Sequence, residues 1–185
     1  MSAIFLDRDG VINENRSDYI KSWSEFHFIA GSKEAVAMLT MAGHRVIICT
    51  NQAVVAKDII TIDTVENIHR HMVMEIAEAG GMVERVYYCP HSKDACCSCR
   101  KPQPGMLFRA RDDLGIDLHD AVFVGDNISD VQASLAAGVH PILVLTGLGM
   151  QYLDECYSNI SRPFHVARSL KHAADFILQG WNNGS

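Results

Sequence analysis

Residues 3–10 read Ala-Ile-Phe-Leu-Asp-Arg-Asp-Gly, and this stretch decides the fold. Four apolar residues, Ala3 to Leu6, stop abruptly at the charged run Asp7-Arg8-Asp9. Such a run is too short for a membrane span or for the apolar region of a signal peptide, and it is typical of a buried strand. We therefore predict a strand near the N-terminus with acidic side chains directly after its end.

Short apolar runs recur further along the chain and predict buried strands there too. The predicted strands are Ala3 to Leu6, Arg45 to Cys49, Val83 to Tyr88, Ala121 to Val124 and Pro141 to Leu145. Between them, apolar residues recur at helical spacing, and most of these segments end at a glycine that can serve as a C-cap. The predicted helices are Lys33 to Ala42, Thr64 to Ala79, Met106 to Leu114, Asp130 to Ala137 and Ser169 to Leu178. The alternation predicts an α/β protein with a Rossmann-like, doubly wound, mostly parallel sheet and helices on both faces.

Helix starts are predicted from residues that cap backbone N–H groups. Asp63 followed by Glu66 resembles a capping box, and Ser32 and Ser129 stand where N-caps are expected.

Composition limits the architecture and the partners. The chain has 185 residues, 48% of them hydrophobic, which is enough to fill one core. We predict a single domain over residues 1–180 and a flexible tail over residues 181–185. A formal net charge of −6 without a basic run disfavours nucleic acids and anionic membranes as partners. Six cysteines without an export signal indicate a cytoplasmic protein, and at this size we expect a monomer.

Polar side chains follow three of the predicted strands, at the sheet edge where ligands bind in such folds. Asp7 and Asp9 follow the first strand, Thr50-Asn51-Gln52 the second, and Asp126 a later one, with Asp130 beyond it. Acids gathered at this edge would repel one another unless a hard cation lies among them, and oxygen ligands suit Mg²⁺. The sequence therefore predicts a magnesium site that accepts a phosphate.

Other metal and nucleotide motifs do not fit these residues. An EF-hand loop needs an oxygen ligand at its fifth position, where Val11 stands. The chain has no G-x-x-x-x-G-K-[ST] P-loop, and no G-x-G-x-x-G follows a strand.

The set Asp7-x-Asp9-Gly10, Thr50-Asn51, Lys101 and Gly125-Asp126-x-x-x-Asp130 resembles the four motifs of the haloacid dehalogenase superfamily, in the order of that family. The resemblance spans Phe5 to Asp130 and implies a phosphatase. It implies that Asp7 is the nucleophile that forms an aspartyl-phosphate. It also implies that Asp9 is the general acid and base, a role that needs a locally raised pKa.

The same resemblance implies a set of ligand-binding residues. Those for the phosphate or substrate would be Thr50, Asn51, Gln52 and Lys101. Those for Mg²⁺ would be the Asp7 side chain, the Asp9 carbonyl and Asp126, with Asp130 in or next to that set.

A second cluster of metal-binding residue types lies between residues 89 and 99. Cys89, His91, Cys97 and Cys99 match a Cys₃His zinc site with no open position, so the metal is expected to be structural. Cys96 is an alternative ligand to Cys97, which we prefer because of its spacing to Cys99 and because of the resemblance. His69 and His71 are a poorer metal pair, because residues two apart on a helix do not face each other, and we predict that both lie on the surface.

The zinc loop narrows the resemblance. It runs directly into Cys99-Arg100-Lys101-Pro102-x-Pro104-Gly105, a pattern that resembles the heptose 1,7-bisphosphate phosphatases and the related histidinol-phosphate phosphatases. The zinc would hold two cationic residues on a rigid support. Lys101 would bind the transferring phosphate, and Arg100 would bind a second phosphate or a carboxylate of the substrate.

The residues in the loops around the site indicate which substrate the site can admit. The intervals between the motifs leave no room for a separate cap domain, so we expect an open mouth. After Thr50-Asn51-Gln52 the heptose phosphatases usually carry a glycine-containing stretch that ends in Arg-Gly, whereas this chain has Ala53 to Asp58. Asn127 stands where Lys or Arg is common.

Three functions are consistent with these residues. The resemblance implies removal of the 7-phosphate from D-glycero-D-manno-heptose 1,7-bisphosphate, to give the 1-phosphate used for bacterial surface-polysaccharide (lipopolysaccharide) precursors. The changed loop favours the alternative of a phosphatase of histidinol phosphate or another small phosphomonoester. A zinc-stabilised phosphate-binding module without catalysis is the third, and the presence of both Asp7 and Asp9 argues against it.

Overall fold

The computed structural model describes residues 2–180. The tail predicted over residues 181–185 therefore lies outside the described residues. The structure contains one six-stranded sheet in which every strand pair is parallel. The strands are β1 (Ala3–Leu6), β2 (Arg45–Asn51), β3 (Val83–Cys89), β4 (Val122–Gly125), β5 (His140–Val144) and β6 (His165–Ala167).

The order of the strands places β1 and β4 side by side in the middle of the sheet. The full order is β3-β2-β1-β4-β5-β6, so the chain winds outward from β1 in one direction and from β4 in the other. At this reversal the connections leave in opposite directions, which opens a crevice at the carboxyl ends of β1 and β4. Asp7 and Asp126 follow those two strand ends directly.

Helices cover both faces of the sheet. The helices are α1 (Ser32–Met41), α2 (Ile62–Glu78), α3 (Gly105–Leu114), α4 (Ile128–Ala137), α5 (Gly149–Asn159) and α6 (Leu170–Leu178). Alternate strand residues such as Ile4 and Leu6 pack on one face against α1, α2 and α6, while Phe5 and its neighbours pack on the other against α3 and α4. The predicted doubly wound α/β class is confirmed.

The connections that could hold a cap domain are short. Between β1 and β2 lie a single 3₁₀ turn at Trp23–Glu25 and α1, and between β2 and β3 lies only α2. Within residues 2–180, neither connection contains a second sheet. None of the helices described over those residues combines the length and the hydropathy needed to cross a bilayer.

The predicted elements are all present, and within residues 2–180 the sequence analysis missed one α-helix and one β-strand. The missed elements are α5 and β6. In α5, Tyr152, Leu153 and Cys156 recur at helical spacing, but only Gly149 and Cys156 are fully buried, so the apolar pattern is short and weak. The strand β6 has three residues, fewer than a period-two pattern needs to be recognised.

The helix starts differ from the capping predictions. In α2 the N-cap is Thr61, whose Oγ1 accepts from the Thr64 N–H at 3.2 Å, and not Asp63. Ser32 is the first residue of α1 and its hydroxyl donates to the Ile12 carbonyl at 2.8 Å. Ser32 does not cap α1, because its hydroxyl is taken by this tertiary partner.

In α4 the N-cap is Asn127, two residues before the predicted Ser129. The Asn127 side chain accepts from the Ser129 N–H at 3.0 Å. The Asp130 carboxylate accepts in return from the Asn127 N–H at 3.0 Å. The two bonds form a capping box that begins the helix directly after β4.

This assignment predicts different effects for two neighbouring substitutions. Asn127→Ala removes the capping acceptor and should lower the free energy of unfolding by about 1 kcal/mol. Ser129→Ala, the matched control, keeps the backbone N–H that the cap uses and should lower it by less than about 0.5 kcal/mol. Urea unfolding of both variants and the wild type measures the difference. A larger loss in Ser129→Ala than in Asn127→Ala would contradict the assignment.

Candidate active site

The centre of the site is a buried ammonium group between two carboxylates. Lys101 Nζ lies 2.9 Å from Asp7 Oδ1 and 2.7 Å from Asp130 Oδ1, and it donates to the Cys49 carbonyl at 2.9 Å. The Lys101 side chain is 3% exposed. Burial acts to lower the pKa of Lys101, but the charges of Asp130 and Asp7 outweigh it and hold the pKa above its ordinary value. The lysine is therefore charged when the site works.

Two of the three acids at this edge resist ionisation. Burial raises the pKa of Asp7 to about 7, against the Lys101 charge, which lowers it. Burial and the charge of Asp7 raise the pKa of Asp126 to about 8. One lysine does not neutralise the acids gathered here, so the group attracts a further cation.

The geometry of these acids fits a hard cation. Oxygen atoms of Asp7, Asp126 and Asp130 lie within 4.8 Å of one another, a spacing that a divalent ion can bridge. Carboxylate oxygens are the donors that Mg²⁺ prefers. The acids predicted at the sheet edge are thus together, and the residues present fit Mg²⁺.

Two glycines allow the chain to pass close to Asp126. Gly10 has φ +84° and Gly147 has φ +57°, and a Cβ at either residue would overlap the Asp126 carboxylate. The backbone N–H of Leu148 donates to Asp126 Oδ2 at 2.8 Å. The sequence analysis named Gly10 but missed the loop at 147 and 148, because a backbone donor leaves no signal in a residue type.

Asp9 is held by a second cation. Arg8 Nη2 donates to Asp9 Oδ1 at 2.8 Å and to Oδ2 at 2.9 Å, and the Asn13 and Gln52 amides donate at 2.9 Å each. Burial acts to raise the pKa of Asp9, but Arg8 and the hydrogen bonds outweigh it, and the net pKa is lower than its ordinary value. The raised pKa expected for a general acid is therefore not found in this arrangement.

The amides after β2 hold other residues of the site. Asn51 Oδ1 accepts from the Lys101 N–H and its Nδ2 donates to the Lys101 carbonyl, both at 3.1 Å. Gln52 Nε2 donates to Thr50 Oγ1 at 2.9 Å as well as to Asp9. Thr50 and Asn51 lie within β2 and not after it, and Thr50 lines the cavity above the acids.

The cysteine cluster is assembled as a compact tetrahedron of donor atoms. Cys99 Sγ lies 3.2 Å from Cys89 Sγ, 3.5 Å from Cys97 Sγ and 3.3 Å from His91 Nδ1. A zinc ion with bonds of about 2.3 Å needs donors separated by roughly 3.8 Å, so a small expansion fits a metal. Cys96 is exposed and is not part of this group. The four residues could hold a metal ion.

The cavity above the acids has a volume of about 1150 Å³ and is open toward solvent. The lining of the cavity includes Asp7, Asp126 and Arg100, whose Nη1 donates to the His91 carbonyl at 3.1 Å. Tyr19 lines the mouth, and Lys57 of the altered loop donates to the Tyr19 hydroxyl at 2.6 Å. The loop that contains Tyr19 and the loop from Ala53 to Asp58 are therefore joined at the mouth.

Two residues near Asp9 were missed or misplaced in the sequence analysis. Arg8 is 1% exposed, and an arginine between two acids at a strand end was a signal that could have been used. His69 was predicted on the surface but is 5% exposed and lies 3.2 Å from Arg8 Nη1. That prediction was wrong because it considered only neighbours on the same helix. His71 is half-buried and stacks on Trp23.

Known proteins resemble the chain over nearly its whole length. Residues 98–173 match the HAD-hydrolase-like family. The chain is 43% identical over 155 residues to the D-glycero-beta-D-manno-heptose-1,7-bisphosphate 7-phosphatase of Pseudomonas putida, which covers 84% of this chain and 89% of the relative. The chain belongs to the HAD-like phosphatases. The phosphatase of the same name from Vibrio cholerae is 40% identical over 185 residues and covers 96% of each chain.

A solved HAD-like phosphatase has the same fold. The crystal structure of D,D-heptose 1,7-bisphosphate phosphatase from Bordetella bronchiseptica, complexed with magnesium and phosphate, matches with a TM-score of 0.92. The two chains are 37% identical, and the match covers 97% of this chain and 99% of the other.

The raised pKa of Asp126 predicts how the metal-free phosphatase responds to pH. The pKa of this carboxyl is 3.8 in the unfolded chain and about 8 in the folded chain. As pH rises from about 3.8 to about 8, the unfolded state is ionised more readily than the folded state, so the free energy of unfolding falls. In EDTA, wild type should lose stability relative to Asp126→Asn between about pH 5 and about pH 8. Asparagine keeps the acceptor for Leu148 and serves as the matched control for packing.

Urea unfolding at both pH values measures this difference, and saturating Mg²⁺ should reverse it by stabilising only the wild type. If the difference in stability between wild type and Asp126→Asn does not depend on pH in EDTA, the raised pKa of Asp126 is contradicted.

Proposed function

We propose that this chain hydrolyses the 7-phosphate of D-glycero-β-D-manno-heptose 1,7-bisphosphate to the 1-phosphate, in a Mg²⁺-dependent reaction through an aspartyl-phosphate. The observation that carries the proposal is the pairing of Asp7 with the buried Lys101 ammonium at the crevice between β1 and β4. The names of the relatives that match over nearly the full length support the substrate and its β-anomer.

Asp7 is the proposed nucleophile. Its Oδ1 is held by Lys101 Nζ at 2.9 Å and by the Arg8 N–H at 2.7 Å, which fixes the carboxylate while it faces the cavity. Attack on phosphorus forms the bond from Asp7 to the phosphoryl group and breaks the bond to the sugar oxygen. Lys101 and Thr50 then neutralise and orient the phosphoryl oxygens.

Asp9 is the proposed general acid and base. It gives a proton to the leaving sugar oxygen and later takes one from the water that hydrolyses the aspartyl-phosphate. Because Arg8 keeps the pKa of Asp9 low in the arrangement described above, the approach of the phosphate dianion must raise it for the first step.

Mg²⁺ is the proposed catalytic cofactor, and Asp7, Asp126 and the Asp9 carbonyl are its proposed ligands. When bound, the ion supplies positive charge to the phosphoryl oxygens and cancels the repulsion among the acids. Asp130 is occupied by Lys101 and by the cap of α4, which supports a place for it beside the ligands and not among them.

Zn²⁺ is the proposed occupant of the cysteine cluster, with a structural role. Its proposed ligands are Cys89, His91, Cys97 and Cys99. The cluster is joined directly to Arg100 and Lys101, so its rigidity sets where both cations lie. We propose that Arg100 binds the second phosphate of the substrate, because it lines the cavity and a guanidinium can bind phosphate through two N–H groups.

The remaining proposals concern the whole molecule. Residues 1–180 are proposed as one domain, because a single sheet joins every described strand. The proposed location is the cytoplasm, whose reducing conditions keep thiols available to a metal. A monomer with no nucleic-acid or membrane partner is proposed, in line with the net charge.

Phosphate release from a panel of substrates tests the function. The panel contains both anomers of D-glycero-D-manno-heptose 1,7-bisphosphate, histidinol phosphate and fructose 1,6-bisphosphate, each with Mg²⁺ and with EDTA. We expect kcat/KM for the β-anomer to exceed that for the other substrates by about a hundredfold or more, roughly 2.7 kcal/mol of discrimination. Asp7→Asn is the control for contaminating phosphatases and should lose about a thousandfold or more of turnover while keeping its fold.

Other outcomes decide between the alternatives. Preference for histidinol phosphate or another monoester would leave the reaction class standing and show that the loop from Ala53 to Asp58 has redirected the substrate. Turnover of none of the phosphoesters would instead support a phosphate-binding module. Activity retained by Asp7→Asn would contradict the proposed nucleophile.

Two cysteine substitutions test the metal cluster. Cys99→Ser should release zinc and lower the free energy of unfolding, because a structural site contributes folding energy. Cys96→Ser, one of the neighbouring thiols but outside the cluster, should keep the full zinc content. Elemental analysis of the purified variants measures the metal. Equal zinc in Cys99→Ser and wild type, or loss of zinc in Cys96→Ser, would overturn the ligand set.

A further inference from the structure

We propose that His69 is a positioning residue for the reaction: it accepts a hydrogen bond from Arg8 and thereby fixes the guanidinium that aims the Asp9 carboxyl. The inference rests on the proposed role of Asp9 as general acid and base. His69 does not touch the substrate cavity, so it acts through Arg8 and not on the reacting atoms.

The contact between the two side chains has only one possible direction. His69 Nε2 lies 3.2 Å from Arg8 Nη1, and an arginine can only donate, so the imidazole accepts. Nε2 must then be unprotonated, and the ring is neutral with its proton on Nδ1. Burial, followed by the charge of Arg8, lowers the pKa of His69 to about 3, which agrees with a neutral ring.

Arg8 uses its other edge on Asp9. Nε and Nη2 reach Asp9 Oδ1 at 3.2 and 2.8 Å, and Nη2 reaches Oδ2 at 2.9 Å. With Nη1 on His69, the planar guanidinium is fixed at both ends, and its Cζ atom lies 5.9 Å from the centre of the Phe26 ring. Since Arg8 is 1% exposed, loss of the acceptor leaves a buried N–H group of a charged side chain unpaired, which is unfavourable.

The orientation of Asp9 matters most when the leaving oxygen is a poor leaving group. A sugar alkoxide needs a proton during bond breaking, whereas a nitrophenolate leaves without one. Without the His69 acceptor, Arg8 can rotate, and the Asp9 carboxyl then loses the orientation that Arg8 gives it. Transfer of the phosphoryl group to Asp7 should therefore be slower with the sugar phosphate and unchanged with an aryl phosphate. A general loss of structure would slow both.

His69→Leu removes the acceptor, and His69→Gln replaces it, because the glutamine Oε1 can stand near the position of Nε2. His69→Asn keeps an amide that is too short to reach Arg8, and it provides the same loss if the leucine variant does not fold. Tyr88→Phe is the matched control, since the Tyr88 ring lies against His69 at 5.4 Å between centres but takes no part in the contact.

Steady-state kinetics with Mg²⁺ on the heptose bisphosphate and on p-nitrophenyl phosphate test the inference. For the sugar phosphate we expect kcat/KM, which reports the steps up to release of the sugar, to fall about tenfold or more in His69→Leu and His69→Asn. Because hydrolysis of the aspartyl-phosphate comes after that release, kcat/KM for p-nitrophenyl phosphate should change by less than about twofold, and His69→Gln should recover most of the loss. Tyr88→Phe should behave as wild type on both.

Asp9→Asn, measured in parallel, separates this inference from the function on which it rests. If Asp9→Asn lowers kcat/KM for the sugar phosphate selectively, but the His69 variants lower kcat/KM for both substrates equally or for neither, only the positioning role is overturned. If Asp9→Asn shows no dependence on the leaving group, the acid role of Asp9 is overturned and this inference with it. Failure of His69→Gln to recover activity also contradicts the acceptor role.

Discussion

The ion pairs of Lys101 with Asp7 and Asp130 are the interaction on which the rest of the site depends. A buried carboxylate without a partner is strongly unfavourable, and here the same ammonium contacts two of them. The lysine comes from a loop, Asp7 from the end of β1 and Asp130 from the first turn of α4. Their meeting therefore ties the loop to the centre of the sheet and keeps Asp7 partly ionised despite its burial.

The loop that brings Lys101 to this place is held from both sides. Asn51 grips the Lys101 peptide through both of its amide atoms, while the cysteine cluster ends at the residue before Arg100. A flexible lysine side chain would lose conformational entropy on entering the site. Anchoring its backbone in advance reduces that loss, which gives a physical reason for a metal-type cluster directly beside this loop.

A second charged pair, Arg8 with Asp9, lies beside the first, but the pKa of its carboxyl shifts in the opposite direction. Burial outweighs the charge of Lys101 and raises the pKa of Asp7, whereas Arg8 and the Asn13 and Gln52 amides outweigh burial at Asp9 and lower its pKa. Two acids two residues apart thus have different pKa values because of their surroundings, and both shifts are opposite to those that an ionised nucleophile and a protonated general acid need.

The order of the strands and helices along the chain and the set of acids at the sheet edge could be predicted from the sequence. Apolar periodicity follows from burial in regular elements, and polar groups gather at the strand ends of a parallel sheet, so local sequence patterns reveal both. The cysteine cluster was also recognisable, because thiolate and imidazole ligands recur at short spacings that a metal imposes. The three-residue strand β6 and the mostly exposed α5 carry shorter and weaker apolar patterns.

Only the tertiary structure decided which polar groups meet. The amide of Asn51 is engaged by the Lys101 backbone, Asp9 faces Arg8, and His69 is buried against that arginine instead of lying on the surface. The first and the last of these contacts join residues that lie far apart in the sequence, and each hydrogen bond competes with water until packing removes the water. A residue type shows what a side chain can donate or accept, but its partner is chosen by the fold.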